Sequence, residues 1–266
     1  MSTLRLLTVG TVIQLKSSSR GTFELGTAMI MPIIQATMAV YLLRASDHPY
    51  RLVDAAVGAG LMGIWSSVLF GSGGAIQGQR WLGTLEMIIM APRNAALTVL
   101  PITIATGLTG IYTMFATLGW GWLIFGITPT FAHPLAFIVA VPACVVGLGM
   151  FGLLLASTFV VMRNANALCN ALEYPIWLLS GMLVPITVLP HWTGPLAAIL
   201  PTTWGARAVH AATTTDTAGG GSAGTGAAWA DAGICLGISL VCLALGAIAM
   251  TYVERRARVT ATLALA

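Results

Sequence analysis

Between Arg93 and Arg163 the chain carries no aspartate, glutamate, lysine or arginine. Two long apolar runs fill that interval. One covers residues 95–118 and stays apolar to Ile127; the other covers residues 135–162, after a turn at residues 128–134. A surface facing water cannot be built from so uncharged a stretch, whereas about 20 apolar residues in a helix cross the roughly 30 Å hydrocarbon core of a bilayer. Helices satisfy their own backbone groups there, which irregular chain in lipid cannot do. The rest of the sequence keeps the same rhythm. Only 8% of all residues are charged and 57% are hydrophobic, against about 25% charged in a soluble domain.

The pattern predicts one all-α integral membrane domain over residues 1–266, with six transmembrane helices. The spans are read at about residues 25–43, 53–76, 95–118, 135–162, from about 171 to a break near Pro185, and 232–252. Span one is too long for the apolar core of a signal peptide and no small-residue cleavage site follows it. Residues 1–22 mix Leu4, Leu7, Val12, Ile13 and Leu15 with Arg5, Lys16 and Arg20, which suits an amphipathic helix lying in the interface. Pro185, Pro190, Pro195 and Pro201 interrupt the apolar region after span five. Each removes a backbone donor, so this segment must be buried in protein or face water. Short re-entrant helices within an outer region spanning residues 185–229 fit that requirement, with a Thr/Gly/Ala-rich loop at residues 213–228.

Orientation follows from the basic residues. With the N-terminus inside, inner segments hold Arg5, Lys16, Arg20, Arg80, Arg93, Arg163, Arg255, Arg256 and Arg258, and outer ones only Arg44, Arg51 and Arg207. The positive-inside rule then places both termini in the cytoplasm. The net charge of +4 is spread along span flanks and forms no nucleic-acid patch. The excess of Arg over Lys, with abundant Ala, Gly and Thr, suggests a GC-rich bacterial source and hence its cytoplasmic membrane. Small residues at Gly58, Gly60 and Gly63, at Gly147, Gly149 and Gly152, and at Gly233 and Gly237 imply close helix packing or a dimer face. Cys144, Cys169, Cys235 and Cys242 form no C-x-x-C pair and read as small buried hydrophobes.

The chain shows no engine of its own. A P-loop fails because Leu15 stands where the second glycine is required before Lys16-Ser17. The run Gly71-Ser72-Gly73-Gly74 lacks the glutamine of an ATPase signature loop and reads as helix packing. The acids Glu24, Asp47, Asp54, Glu86, Glu173, Asp216, Asp231 and Glu254 are expected in loops or near span ends. Of these Glu173, just inside span five beside Pro175, is open to an interfacial role or a proton site. There is no H-E-x-x-H, no G-x-S-x-G and no acidic metal cluster. His48, His133, His191 and His210 are expected on the outer side. Enzymatic activity and a metal or cofactor on this chain are therefore not expected.

The inner segment at residues 77–94 contains Arg80-x-x-Gly83-Thr84-Leu85-Glu86, an apolar run and Pro92. It is similar to the G-T-L-E-x-x-x-x-x-P element of ABC-2 type permeases. A second segment has Ser180-Gly181-x-x-x-Pro185, then Leu189-Pro190-x-Trp192, then Leu200-Pro201. It resembles the S-G-x-x-x-P, L-P-x-W and L-P elements after span five of the same family. Order, spacing and layout agree over nearly the whole chain, most closely with the daunorubicin-resistance-like exporters. One departure is Gln77 or Gln79 where many relatives have Glu before the Arg, which leaves open any acid-dependent contact there.

The resemblance implies the permease half of an exporter for small amphipathic or hydrophobic molecules, such as drugs, antibiotics or lipids. Two copies of a separate ATP-binding subunit would hold ATP and Mg, and a second permease copy or a sister permease would complete the bundle. Arg80, Gly83, Thr84, Leu85, Glu86 and Pro92 would form the coupling element against the ATP-binding subunit. Spans one, two and five would line the path, with Met29, Met31, Trp65, Trp177 and Met182 as apolar contacts, although lipid contact or helix packing is the ordinary role of each. Export of a lipid-linked glycan or glycolipid is the neighbouring alternative. A membrane enzyme acting on lipids would need a polar cluster at one membrane face, which the sequence does not display.

Overall fold

The computed structural model describes residues 3–18, 22–44, 52–81, 83, 95–126, 133–161, 165–183, 186, 189–213 and 225–260. Among these the chain is helical and without strands. The helices are α1 (Thr3–Ser18), α2 (Thr22–Arg44), α3 (Leu52–Trp81), α4 (Ala95–Phe125), α5 (Pro134–Val161), α6 (Ala165–Leu179), α7 (Thr193–Ile199), α8 (Pro201–Thr213) and α9 (Thr225–Thr260). Four contain stretches long and apolar enough to cross a membrane: Val53–Ser72, Leu100–Phe125, Pro134–Phe159 and Gly226–Tyr252. Within α2 the described apolar part is the shorter Ile30–Leu42, and α6 is 15 residues long.

Helix α3 is the hub, with α2, α4, α5, α6 and α8 packed around it. Its fully buried side chains include Val57, Leu61, Ile64, Trp65, Val68 and Leu69. Close approach depends on residues without side chains. A Cβ at Gly60 would collide with Met114 and one at Gly71 with Thr106, so α4 runs antiparallel to α3 almost backbone to backbone. Gly152 receives Val68 at 2.5 Å from its hypothetical Cβ, bringing α5 alongside α3 in the same direction. Gly147 faces Cys235 and Ser239, and Gly246 faces Leu154, so α9 runs parallel to α5. Thus α3, α5 and α9 all point the same way, while α4 opposes them.

Several boundaries differ from expectation for local reasons. No proline or left-handed turn intervenes before Gly83, and α3 continues through Gln77–Trp81, which the sequence placed in the inner loop. The polar residues Asn166 and Asn170, expected in a loop, belong to α6; Asn170 Nδ2 donates to Asn166 O at 2.8 Å along the helix. Helix α9 starts at Thr225 and runs to Thr260, taking in the expected loop end and the basic tail. Gly71 and Ser72 lie within α3, with Ser72 Oγ donating to Val68 O at 2.7 Å, in keeping with a packing role.

After α6 the chain stops sharply. Gly181 takes φ +68. Its N–H donates to Leu178 O at 3.2 Å while Met182 N–H donates to Trp177 O at 3.4 Å, the paired bonds of a Schellman ending that favours glycine. Two short helices follow. Pro201 opens α8 at the first helical position, where its missing N–H costs nothing. Helix α8 is buried against α5 and α9. His133 N–H donates to Ala212 O at 3.1 Å, fixing the α8 C-terminus at the start of α5. At its other end Gly205 abuts Cys144 and Cys235 Sγ donates to Pro201 O at 3.3 Å. Cys144 is about 15 Å along α5 from Pro134, so α8 reaches well down the bundle.

Candidate functional site

Two regions carry the expected site residues, and they lie apart. The first is the end of the bundle where α3 stops and α4 begins. Arg80 is in the last turn of α3, and Gly83 follows as an exposed turn residue with φ +67 and nothing within 4 Å of where a Cβ would be. Glycine adopts that left-handed backbone without the clash other residues meet. Thr84, Leu85, Glu86 and Pro92 lie outside the described residues. Helix α1 is set at this same end: Gly10 packs on Pro101, early in α4, at 2.9 Å from its hypothetical Cβ. Thr11 is buried on that side while Val12 and Ile13 stay exposed on the other. Helix α1 thus packs one side on the early part of α4 and leaves Val12 and Ile13 exposed.

The second region comprises α2 and α6, each of which packs on α3. Met31 is exposed on α2. Met29 belongs to α2, and its side chain is outside the described set. Trp177 on α6 is half-buried, edge-to-face with Tyr174 at 6.1 Å. Trp65 and Met182 lie deeper. Trp65 is fully buried, stacked on Phe151 at 5.8 Å on the opposite side of α3. Met182 is also fully buried, and its carbonyl accepts from His210 Nε2 at 2.9 Å. Their place is the core, because α5 and α8 cover those positions. Both residues are therefore packed inside this chain, the ordinary role the sequence allowed them.

The segment after α6 brings its motif residues to one side. Gly181 ends α6, Pro190 O caps Thr193 by accepting from its N–H at 2.9 Å and its Oγ1 at 2.7 Å, and Trp192 is exposed before α7. Pro201 begins α8, and Pro185 lies outside the described residues. Ser180 and Thr202 hydroxyls meet in a short buried hydrogen bond that ties the end of α6 to the start of α8.

Two polar pairings were not legible in the sequence. Ser66 Oγ donates to Glu173 Oε1 at 2.7 Å, joining α3 to α6. Glu173 is therefore midway along α6, which begins at Ala165 and not near 171 as expected, because Asn166 and Asn170 are helical. Arg207 Nε stands 3.5 Å from Asp231 Oδ2, with the guanidinium 4.8 Å over the Trp204 ring. Asp231, expected in a loop or near a span end, is buried in the second turn of the apolar stretch of α9, close to its start. The four cysteines are free and buried, in line with the sequence reading. Among the described residues no group of three or more His, Cys, Asp or Glu could hold a metal ion.

A helical bundle with four helices long and apolar enough to cross a bilayer defines an integral membrane protein. The chain belongs to the ABC-2 type transporter family, whose model matches residues 5–213. No curated protein matches it closely. Membership makes it a permease subunit of an ABC transporter, a transport component that partners with an ABC ATP-binding subunit.

Proposed function

We propose that this chain is the membrane half of an ATP-driven exporter for small amphipathic molecules, powered through the turn that follows α3. The observation that carries this is the grouping of Arg80, the Gly83 turn, the start of α4 and helix α1 at one end of the bundle. A separate ATP-binding subunit would dock there, with Thr84, Leu85, Glu86 and Pro92 completing the coupling element over residues 77–94. Arg80 and Glu86 would supply charge-assisted contacts. Closure of two ATP-binding subunits holding ATP and Mg would then rock two permease copies between inward- and outward-facing states.

In this reading the membrane is crossed six times, α2 and α6 supplying spans one and five, with both termini in the cytoplasm of a bacterial cell. The descent of α8 to Cys144 supports a re-entrant outer segment within residues 185–229, and the basic residues near the Gly83 end support its cytoplasmic placement. Met31, exposed on α2, and Trp177, half-buried on α6, would be the path contacts in this reading. Tests of the coupling element are direct. The permease is expected to copurify with an ATP-binding protein whose hydrolysis responds to amphiphiles, and Glu86→Arg to dissociate or uncouple the pair. Unchanged stimulation in that variant would remove the docking assignment.

A further inference from the structure

Ser66 lies inside Val53–Ser72, one of the stretches suited to cross the membrane, and it holds Glu173 there. A carboxylate at that depth is costly unless paired, and one hydroxyl fills only one of its roughly four acceptor sites. Among the described residues of α2, α3 and α6, basic side chains occur only at Arg44 and Arg80, both in terminal turns. Arg80 is about 21 Å along α3 from Ser66. These three helices therefore place no counter-charge beside Glu173.

The surroundings are those of a binding surface. On α6, Cys169 and Ile176 are buried, Cys169 Sγ reaching Leu69 O at 3.5 Å, and this face docks the helix on α3. Glu173 sits at the edge of that face. Beside it runs an exposed stripe of Asn166, Asn170 and Tyr174, and Trp177 stands one turn beyond. The outer face of α9, by contrast, is Ile234, Leu240, Val241, Leu245 and Ile248, as lipid requires. From α2, Gln35 Oε1 approaches to 3.4 Å from the hypothetical Cβ of Gly63, one turn along α3 from Ser66. A carboxylate beside amides and two aromatic rings is the chemistry that recognises an organic cation.

We propose that Glu173, positioned by Ser66, is the recognition group for a positively charged amphiphile carried by this permease, its cation held between the carboxylate and the Tyr174–Trp177 pair. The assignment rests on the exporter reading above and names a cargo class within it. A bulky organic cation suits one carboxylate with aromatic neighbours, whereas a metal ion needs several oxygen ligands at once.

The test uses the full transporter with its ATP-binding subunit in proteoliposomes. The probes are tetraphenylphosphonium, a permanent cation, and neutral triphenylphosphine oxide. Glu173→Gln should raise the phosphonium concentration for half-maximal ATPase stimulation about tenfold or more, through loss of the direct charge attraction at a site shielded from bulk water. It should leave the neutral probe unchanged, and Glu173→Asp should keep most of the cation response. Ser66→Ala should shift the cation response in the same direction by a smaller factor. An equal shift for both probes, or none for either, would overturn the assignment, as would transport that follows a proton gradient and loses that dependence in Glu173→Gln. Stimulation of the wild type by neutral amphiphiles alone would sink the cation assignment and leave the exporter reading standing. No response to any amphiphile would sink both.

Discussion

Gly205 of α8 lies against Cys144 of α5 so closely that a Cβ on the glycine would stand 2.7 Å from the thiol sulfur. The contact seats α8 deep in the bundle, between α5 and α9. Gly205→Ala should lower stability by about 1–3 kcal/mol through overpacking. Adding Cys144→Ala should recover much of that loss, because the two changes share one space. Thermal unfolding of the purified permease in detergent measures both.

The Arg207–Asp231 pair ties α8 to α9 on the other flank, with the arginine nearly half exposed and the aspartate almost buried. Asp231→Ala should destabilise by about 1 kcal/mol or somewhat more, since the exposed partner remains hydrated. Exchanging the two residues should restore part of the loss. A double-mutant cycle read by thermal unfolding separates the pair from its members.

Trp65 is the largest side chain in the fully buried core, and its stacking on Phe151 joins α3 to α5. Trp65→Ala should cost about 3–5 kcal/mol, seen as loss of folded permease. Met31→Ala on the exposed face of α2 should leave folding intact. The same pair of variants separates core from surface in a way that hydropathy cannot.

That distinction marks the limit of what was legible. Long uncharged runs made α4 and α5 readable almost to the residue, because lipid demands uninterrupted apolar helix. Glycines spaced along α3 and α5 announced close packing, and Gly152 and Gly60 are where it occurs. The sides of a helix were harder. Trp65 and Trp177 look alike in sequence, and only the arrangement of α5 and α6 around α3 buries one and leaves the other accessible. The start of α6 was read too late because Asn166 and Asn170 resemble a loop until a polar face of α6 is known to exist. The partner of Glu173 lies 107 positions away along the chain, and no local pattern points to Ser66.

Gly83 offers a test of the turn itself. With φ +67 and open space around it, substitution acts through the backbone and not through a clash. Gly83→Asn should be tolerated, because asparagine enters the left-handed region more readily than most residues. Gly83→Val should cost about 1–2 kcal/mol locally and weaken amphiphile-stimulated ATP hydrolysis by the complex. Equal activity in both variants would detach this turn from coupling.

Orientation can be read with cysteines, since the four native thiols are buried. In a background lacking them, Gly83→Cys should react with an impermeant maleimide only from the cytoplasmic side. Trp192→Cys, on an exposed residue before α7, should react only from outside. Exchanged labelling, Gly83→Cys from outside and Trp192→Cys from the cytoplasm, would reverse the proposed topology, and labelling of both from one side would overturn it.

Helix α3 extends without interruption from Leu52 to Trp81, well past Ser72 where its bilayer-crossing stretch ends. Nine residues of overhang amount to about 13 Å of stiff rod. Helix α9, pointing the same way, overhangs its own stretch from Tyr252 to Thr260. Under the proposed docking, a tilt applied to the end of α3 would reach Ser66 through one continuous helix, with Gly71, Gly73 and Gly74 as the place where it can bend. A grip on the overhang would then act on the same helix that, about 21 Å away at its midpoint, holds Glu173.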